Sequence, residues 1–118
     1  MKLTLQEPPR VFTAGREPVT LSHVADLDLQ PDELVTFTTP AGGAFDVSRK
    51  AWGFYATPSL NGRLKGAGLR ACLAEGEGGK RFILLVERGC EASFLEYLQH
   101  QSMVVLFWLD GDAPLTKA

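Results

Sequence analysis

The sequence predicts an α+β fold, with a ferredoxin-like βαββαβ core and an N-terminal β-strand and hairpin extension. Three observations point there. From Ala44 onward the pattern reads strand, helix, strand, strand, helix, strand, the split βαβ order. The stretches Phe82–Val86 and Met103–Leu109 are continuously apolar, as strands covered on both faces are. Ahead of them, Val19–Leu29 alternates apolar and polar residues, as a half-buried strand does.

Residues 1–18 hold Pro8, Pro9, Gly15 and Pro18, which predict an irregular arm with at most a short strand at Arg10–Ala14. Val19, Leu21, Ala25, Leu27 and Leu29 then mark one face of a strand, with His23 on that face, and Pro31-Asp32 ends it. A hairpin follows: Leu34–Thr39 and Ala44–Lys50, joined by Pro40-Ala41-Gly42-Gly43. Val35, Phe37, Phe45 and Val47 face inward. The apolar phase then slips from odd to even positions at Trp52 and Phe54. A strand cannot keep one buried face across such a change, so either a bulge lies near Ser48–Ala51 or a new element begins at Trp52.

Thr57-Pro58-Ser59 has the form of a helix start, with Thr57 as N-cap and Pro58 at the first helical position. Leu60 and Leu64 would face the core, and Gly66 would close the helix. Leu69, Ala71 and Leu73 alternate as a strand. Arg81–Glu87, the most apolar strand, takes the centre of the sheet. A helix from about Cys90 to His100 carries Phe94 and Leu98 on one stripe, and Met103–Leu109 is the last strand, at an edge. A fully apolar edge invites pairing with another chain, so the N-terminal strands or a second subunit should cover it. The expected organisation is one domain: arm 1–18, globular core 19–109, polar tail 110–118.

Composition sets limits. The chain has 118 residues, 45% of them hydrophobic and 22% charged, as in an ordinary globular domain. No apolar run reaches the roughly 20 residues that span a bilayer, and no secretion signal is recognisable at the N-terminus. Two cysteines, Cys72 and Cys90, make neither a disulfide framework nor a zinc site. A cytoplasmic setting, no membrane and no metal or cofactor are therefore expected. The net charge of −2 is unevenly spread, with a basic middle between acidic ends. Aromatic and basic residues interleave at 49–65, but the chain is acidic overall and lacks an RNA-binding consensus, so nucleic acid is not expected as a partner.

The candidate site is the strand-to-helix turn at 49–63. A helix N-terminus presents bare N–H groups and the positive end of a dipole. Arg49 and Arg63 would add charge, Thr57, Ser59 and Asn61 hydrogen bonds, and Trp52 and Tyr55 apolar walls. Those residue types suit a small anionic metabolite, a carboxylate or phosphate on a flat or apolar body. Two alternatives stand beside this one. One is an isomerase- or lyase-type enzyme using Tyr55 or His23 as acid/base. The other is an interaction module, homodimeric through Met103–Leu109. His23, Asp26 and Asp28 do not make a metal site, because alternation sends His23 to the face opposite both aspartates. Cys90, at a helix start, is expected to pack rather than react.

The run W-G-F-Y-A-T-P-S-L-N-G-R-L-K, Trp52 to Lys65, resembles a signature of small stand-alone bacterial proteins of unknown function. The likeness extends loosely to the end of the last strand. It implies a free-standing single-domain protein and nothing about chemistry.

Overall fold

The computed structural model describes residues 1–111. Among them are eight strands and two α-helices. The strands form three small antiparallel sheets, not one sheet with helices laid across it. The ferredoxin-like α+β expectation is thereby overturned in favour of a mainly β chain.

The first sheet is a long hairpin of β1 (Lys2–Ala14) and β2 (Val19–Asp28). The irregular arm expected over 1–18 is instead mostly strand. Pro8 and Pro9 do not break it because the register shifts between Leu5 and Arg10, so the missing ladder donors fall in the irregularity.

The second sheet follows the predicted hairpin. β3 (Leu34–Thr38) pairs with β4 (Ala44–Lys50), and the inward residues meet as expected, Val35 with Val47 and Phe37 with Phe45. The two phenylalanine rings stack at 5.2 Å. The phase slip is resolved as a new element. Ala51 and Trp52 make a tight turn, and β5 (Gly53–Tyr55) runs back antiparallel along β4.

The helix expected from Thr57 shrinks to one turn, α1 (Arg63–Gly66). The segment before it is non-helical, for a local reason. The Ser59 carbonyl accepts from Gly62 and Leu64, and the Ser59 hydroxyl accepts from the Arg63 amide at 2.8 Å. A serine that captures backbone donors competes with the helix ladder, and Pro58 and Gly62 offer the ladder little in return. Gly62 also has no room for a side chain, because an added Cβ would lie 2.6 Å from the Ser59 Oγ.

The third sheet has the order β7 (Arg81–Glu87), β6 (Leu69–Glu75), β8 (Val104–Trp108), all neighbours antiparallel. α2 (Glu91–His100) carries the chain from β7 across to β8. So the second half of the predicted order exists, as a split βαβ around β6. The first half does not, because β4 hydrogen-bonds to β3 and β5 instead. Nor is Arg81–Glu87 central. The middle strand is β6, whose Ala71, Cys72 and Ala74 are fully buried, while Phe82 and Ile83 of β7 stay 40% and 55% exposed. Small residues mark the centre because layers approach closely on both sides there. The long apolar run marks an edge strand left partly bare.

The core is small. Leu64, Leu69 and Ala71 form its heart, with Phe45, Leu60, Leu85 and Leu109 packed around them. Phe45 is thus the residue that docks the second sheet onto the third. Full burial of Leu64 contributes about 1.5–3 kcal/mol. At the far end, Arg70 holds Asp110 at 2.7 and 3.1 Å and lies 4.1 Å over the Trp108 ring. Asp110 is buried, so the polar tail expected over 110–118 begins after it. The rest of that tail, 112–118, lies outside the described residues. β8 is an edge of its sheet, and within the single chain the N-terminal strands do not cover it: Val104 and Phe107 are 59% and 62% exposed.

Candidate functional site

Residues 49–63 are brought together only in part. Arg49 lies on β4 and Tyr55 on β5, at successive rungs of one ladder, Arg49 opposite Phe54 and Ser48 opposite Tyr55. Trp52 and Tyr55 point into solvent, 73% and 56% exposed, rather than walling a pocket. Thr57 caps nothing, since the helix starts six residues later. Ser59 spends its hydroxyl on the Arg63 amide. Arg63 itself reaches across to Asp46 at 2.8 Å, and the Thr36 hydroxyl donates to the same carboxylate at 2.6 Å. Asn61 is exposed beside them. A one-turn helix has almost no macrodipole to offer an anion.

His23 departs from the strand alternation expected of it. Its Nε2 lies 3.1 Å from Asp26 Oδ1 and 3.1 Å from the Ala25 carbonyl, and Arg10 donates to its Nδ1 at 3.3 Å. The imidazole bends back along the strand, so strand alternation does not separate it from Asp26. It is half-buried and partnered, as a structural histidine is. His100 pairs with Glu17 at 2.7 Å.

A recess with apolar walls lies elsewhere. The tip of the β3–β4 hairpin, the end of β7 and the exposed side of α2 enclose a cleft of about 440 Å³. Phe37 and Phe45 form one wall, Leu85 and Phe94 another, and Glu87, Cys90, Ser93 and Tyr97 supply polar groups at its rim. Its volume falls within the range of small-molecule sites, roughly 300–1,000 Å³.

Local sequence builds this cleft. Pro40-Ala41-Gly42-Gly43 turns the hairpin tightly, with Gly42 at φ +97°. The turn brings Gly43 against the end of β7, where its amide donates to Glu87 Oε2 at 3.0 Å and the Thr39 hydroxyl donates to the same oxygen. The carboxylate is thereby fixed in direction. Of the described residues that line the cleft, Glu87 alone is acidic or basic. The result is an apolar slot with one oriented anionic acceptor at its edge.

The sequence held a signal for this site that the pattern reading passed over. Gly42-Gly43 was read as turn chemistry, yet Gly43 is buried and a Cβ there would meet Glu87 Oε2 at 2.5 Å. A second turn glycine beyond what the turn type needs can mark a close approach. What it approaches, 44 positions away, cannot be read from spacing.

The two cysteines divide clearly. Cys72 is fully buried in β6, and loss of hydration pushes its thiol pKa up. Cys90 is exposed at the cleft rim. Among the described residues no group of three or more His, Cys, Asp or Glu is gathered to hold a metal ion. No helix among them is long and apolar enough to cross a membrane. Compared with family models, curated proteins and solved structures, the chain has no significant match.

Proposed function

We propose that the protein is a binding module for a small organic cation, an ammonium or amidinium group attached to a flat apolar body, held in the Phe37–Glu87–Tyr97 cleft. The observation that carries this is the Glu87 carboxylate, oriented by Thr39 and Gly43 at the mouth of a slot whose other described lining residues are neither acidic nor basic. An aromatic body would lie against Phe37, Phe45 and Phe94. The cationic head would meet the carboxylate in a charge-assisted hydrogen bond.

The anionic-metabolite reading at 49–63 remains the rival, with weaker support. Arg63 and Ser59 already have partners within the chain, and the aromatics there stand apart in solvent. An acid/base enzyme built on Tyr55 or His23 has less support still, since neither lines this cleft.

The test is a matched pair of probes, phenethylammonium and phenylacetate, differing in the sign of the head group. A nine-heavy-atom probe binds with Kd on the order of a millimolar. Near ten times that concentration, the ammonium should raise Tm by about 5 °C and the carboxylate should not. Ser93→Trp, at an exposed position on α2 facing the slot, should abolish the shift. A shift from phenylacetate alone, lost in Arg63→Ala, would instead support the rival.

A further inference from the structure

We infer that the β1–β2 hairpin is an assembly arm, and that its occupant is the same arm of a second copy of this chain. This goes beyond the cleft and rests on different observations.

Directly opposed residues of an antiparallel pair share a face. On one face of the hairpin the register sets Leu3 against Leu27, Leu5 against Ala25, Phe12 against Leu21 and Ala14 against Val19, with only the Arg10–His23 rung polar. That face is almost uniformly apolar over the length of the arm. Yet Leu3, Leu5, Phe12, Val19, Leu21 and Leu27 each keep between 37% and 58% of their surface exposed.

The arm is fastened at its ends and unpacked between them. At the base, the Met1 ammonium pairs with Glu33 at 3.0 Å. At the tip, Gln101 donates to the Glu17 carbonyl at 2.7 Å, Glu17 pairs with His100, and Arg16 reaches Glu77 and Ser102. Behind the tip half, Ala14, Val19 and Leu21 face Phe82, Leu84 and Met103 across an open gap of about 640 Å³. Polar clasps hold the arm in place; the tip half of its apolar side looks across this gap to the chain's own third sheet, while Leu3, Leu5, Phe12 and Leu27 lie outside the gap. A two-stranded hairpin is marginal by itself in water, so a covering layer is what it lacks.

The areas reach what a dimer needs. The four side chains outside the gap present about 350 Å² of apolar surface, within the size range of patches that mark interaction sites. Interface cores are roughly 65% apolar, so such a core implies about 550 Å² per partner and about 1,100 Å² in all, just above the roughly 1,000 Å² that a specific interface clears. A second copy also satisfies symmetry: two identical arms face to face make an isologous contact that closes on itself.

The experiment is mass by light scattering on the full chain, across a dilution series from about 100 µM to 1 µM. The wild type should run at twice 12.9 kDa and dissociate on dilution. Leu5→Asp should run at 12.9 kDa throughout, with an unchanged circular dichroism spectrum, because Leu5 is 58% exposed in the single chain. Leu5→Lys should behave the same way, and mixing the Asp and Lys variants should restore the dimer. A monomeric wild type at the highest concentration overturns the proposal. So does a dimer that survives Leu5→Asp but is split by Phe107→Asp, which would move the contact to the exposed edge strand. If Leu5→Asp unfolds, Leu3→Asp, at 53% exposure, carries the same test.

Discussion

Gly43 donates its amide to Glu87 at 3.0 Å, across 44 positions of sequence, and so ties the tip of one sheet to the last residue of an edge strand in another. The contact leaves no space. An added Cβ would lie 2.5 Å from Glu87 Oε2 and 3.0 Å from the Thr39 hydroxyl. Gly43→Ala should therefore destabilise the chain by about 1–3 kcal/mol through crowding. Gly42→Ala, at positive φ with open space around it, should cost about 1 kcal/mol through backbone strain instead. Urea denaturation checks both, and only Gly43→Ala should also weaken phenethylammonium binding.

The Arg70–Asp110 pair gives the fold a pH dependence of known sign. The Arg70 guanidinium holds the Asp110 carboxyl below the usual aspartate range, with burial opposing it more weakly. A carboxyl whose folded pKa is depressed stabilises fully above its unfolded value of about 3.9, and that contribution fades as pH falls through the folded value. Asp110→Asn should cost about 2 kcal/mol at pH 7, because the two charge-assisted bonds from Arg70 lose their ionised acceptor. Its stability should then fall less steeply than the wild type's below about pH 4. Denaturation curves at pH 3, 4, 5 and 7 decide this. Parallel wild-type and variant profiles would contradict it.

The thiols report on the cleft independently. Native protein should show one fast thiol toward a small disulfide reagent, Cys90, while Cys72 reacts only on unfolding. Since Cys90 lines the slot, saturating phenethylammonium should slow its labelling several-fold. The same concentration of phenylacetate should leave the rate unchanged.

At the turn, the Ser59 hydroxyl receives the first amide of α1. Ser59→Ala should lose about 1 kcal/mol, as removal of a capping side chain does. Arg63→Ala should lose well under that, because the Arg63 side chain is 73% exposed and surface pairs contribute little. Thermal unfolding of the two variants should rank them in that order.

Much of the fold could be read from sequence wherever it depended on near neighbours. The β3–β4 hairpin, its Phe37–Phe45 pairing and the second helix follow from alternation, turn residues and helical spacing, whereas the β1–β2 hairpin does not, because Pro8, Pro9 and Gly15 point to an irregular arm. What escaped was decided at a distance. Ser59 and Gly62 turn a promising helix start into a capped loop, and without that helix no crossover carries β4 into the third sheet. The apolar run of β7 indicated a central strand, but continuous apolarity does not say whether both faces are covered. Ala71, Cys72 and Ala74 of the neighbouring strand are the residues that end up fully buried. The cleft escaped for a similar reason: its carboxylate and its glycine meet only once the sheets have docked through Phe45.

The most direct test of the proposed cleft is amide chemical-shift mapping of the ¹⁵N-labelled protein during titration with phenethylammonium. The account predicts saturable shifts centred on Gly43, Glu87, Ser93 and Tyr97, with residues 53–63 unmoved. Shifts clustered at 53–63, or equal responses to phenethylammonium and phenylacetate, would contradict it.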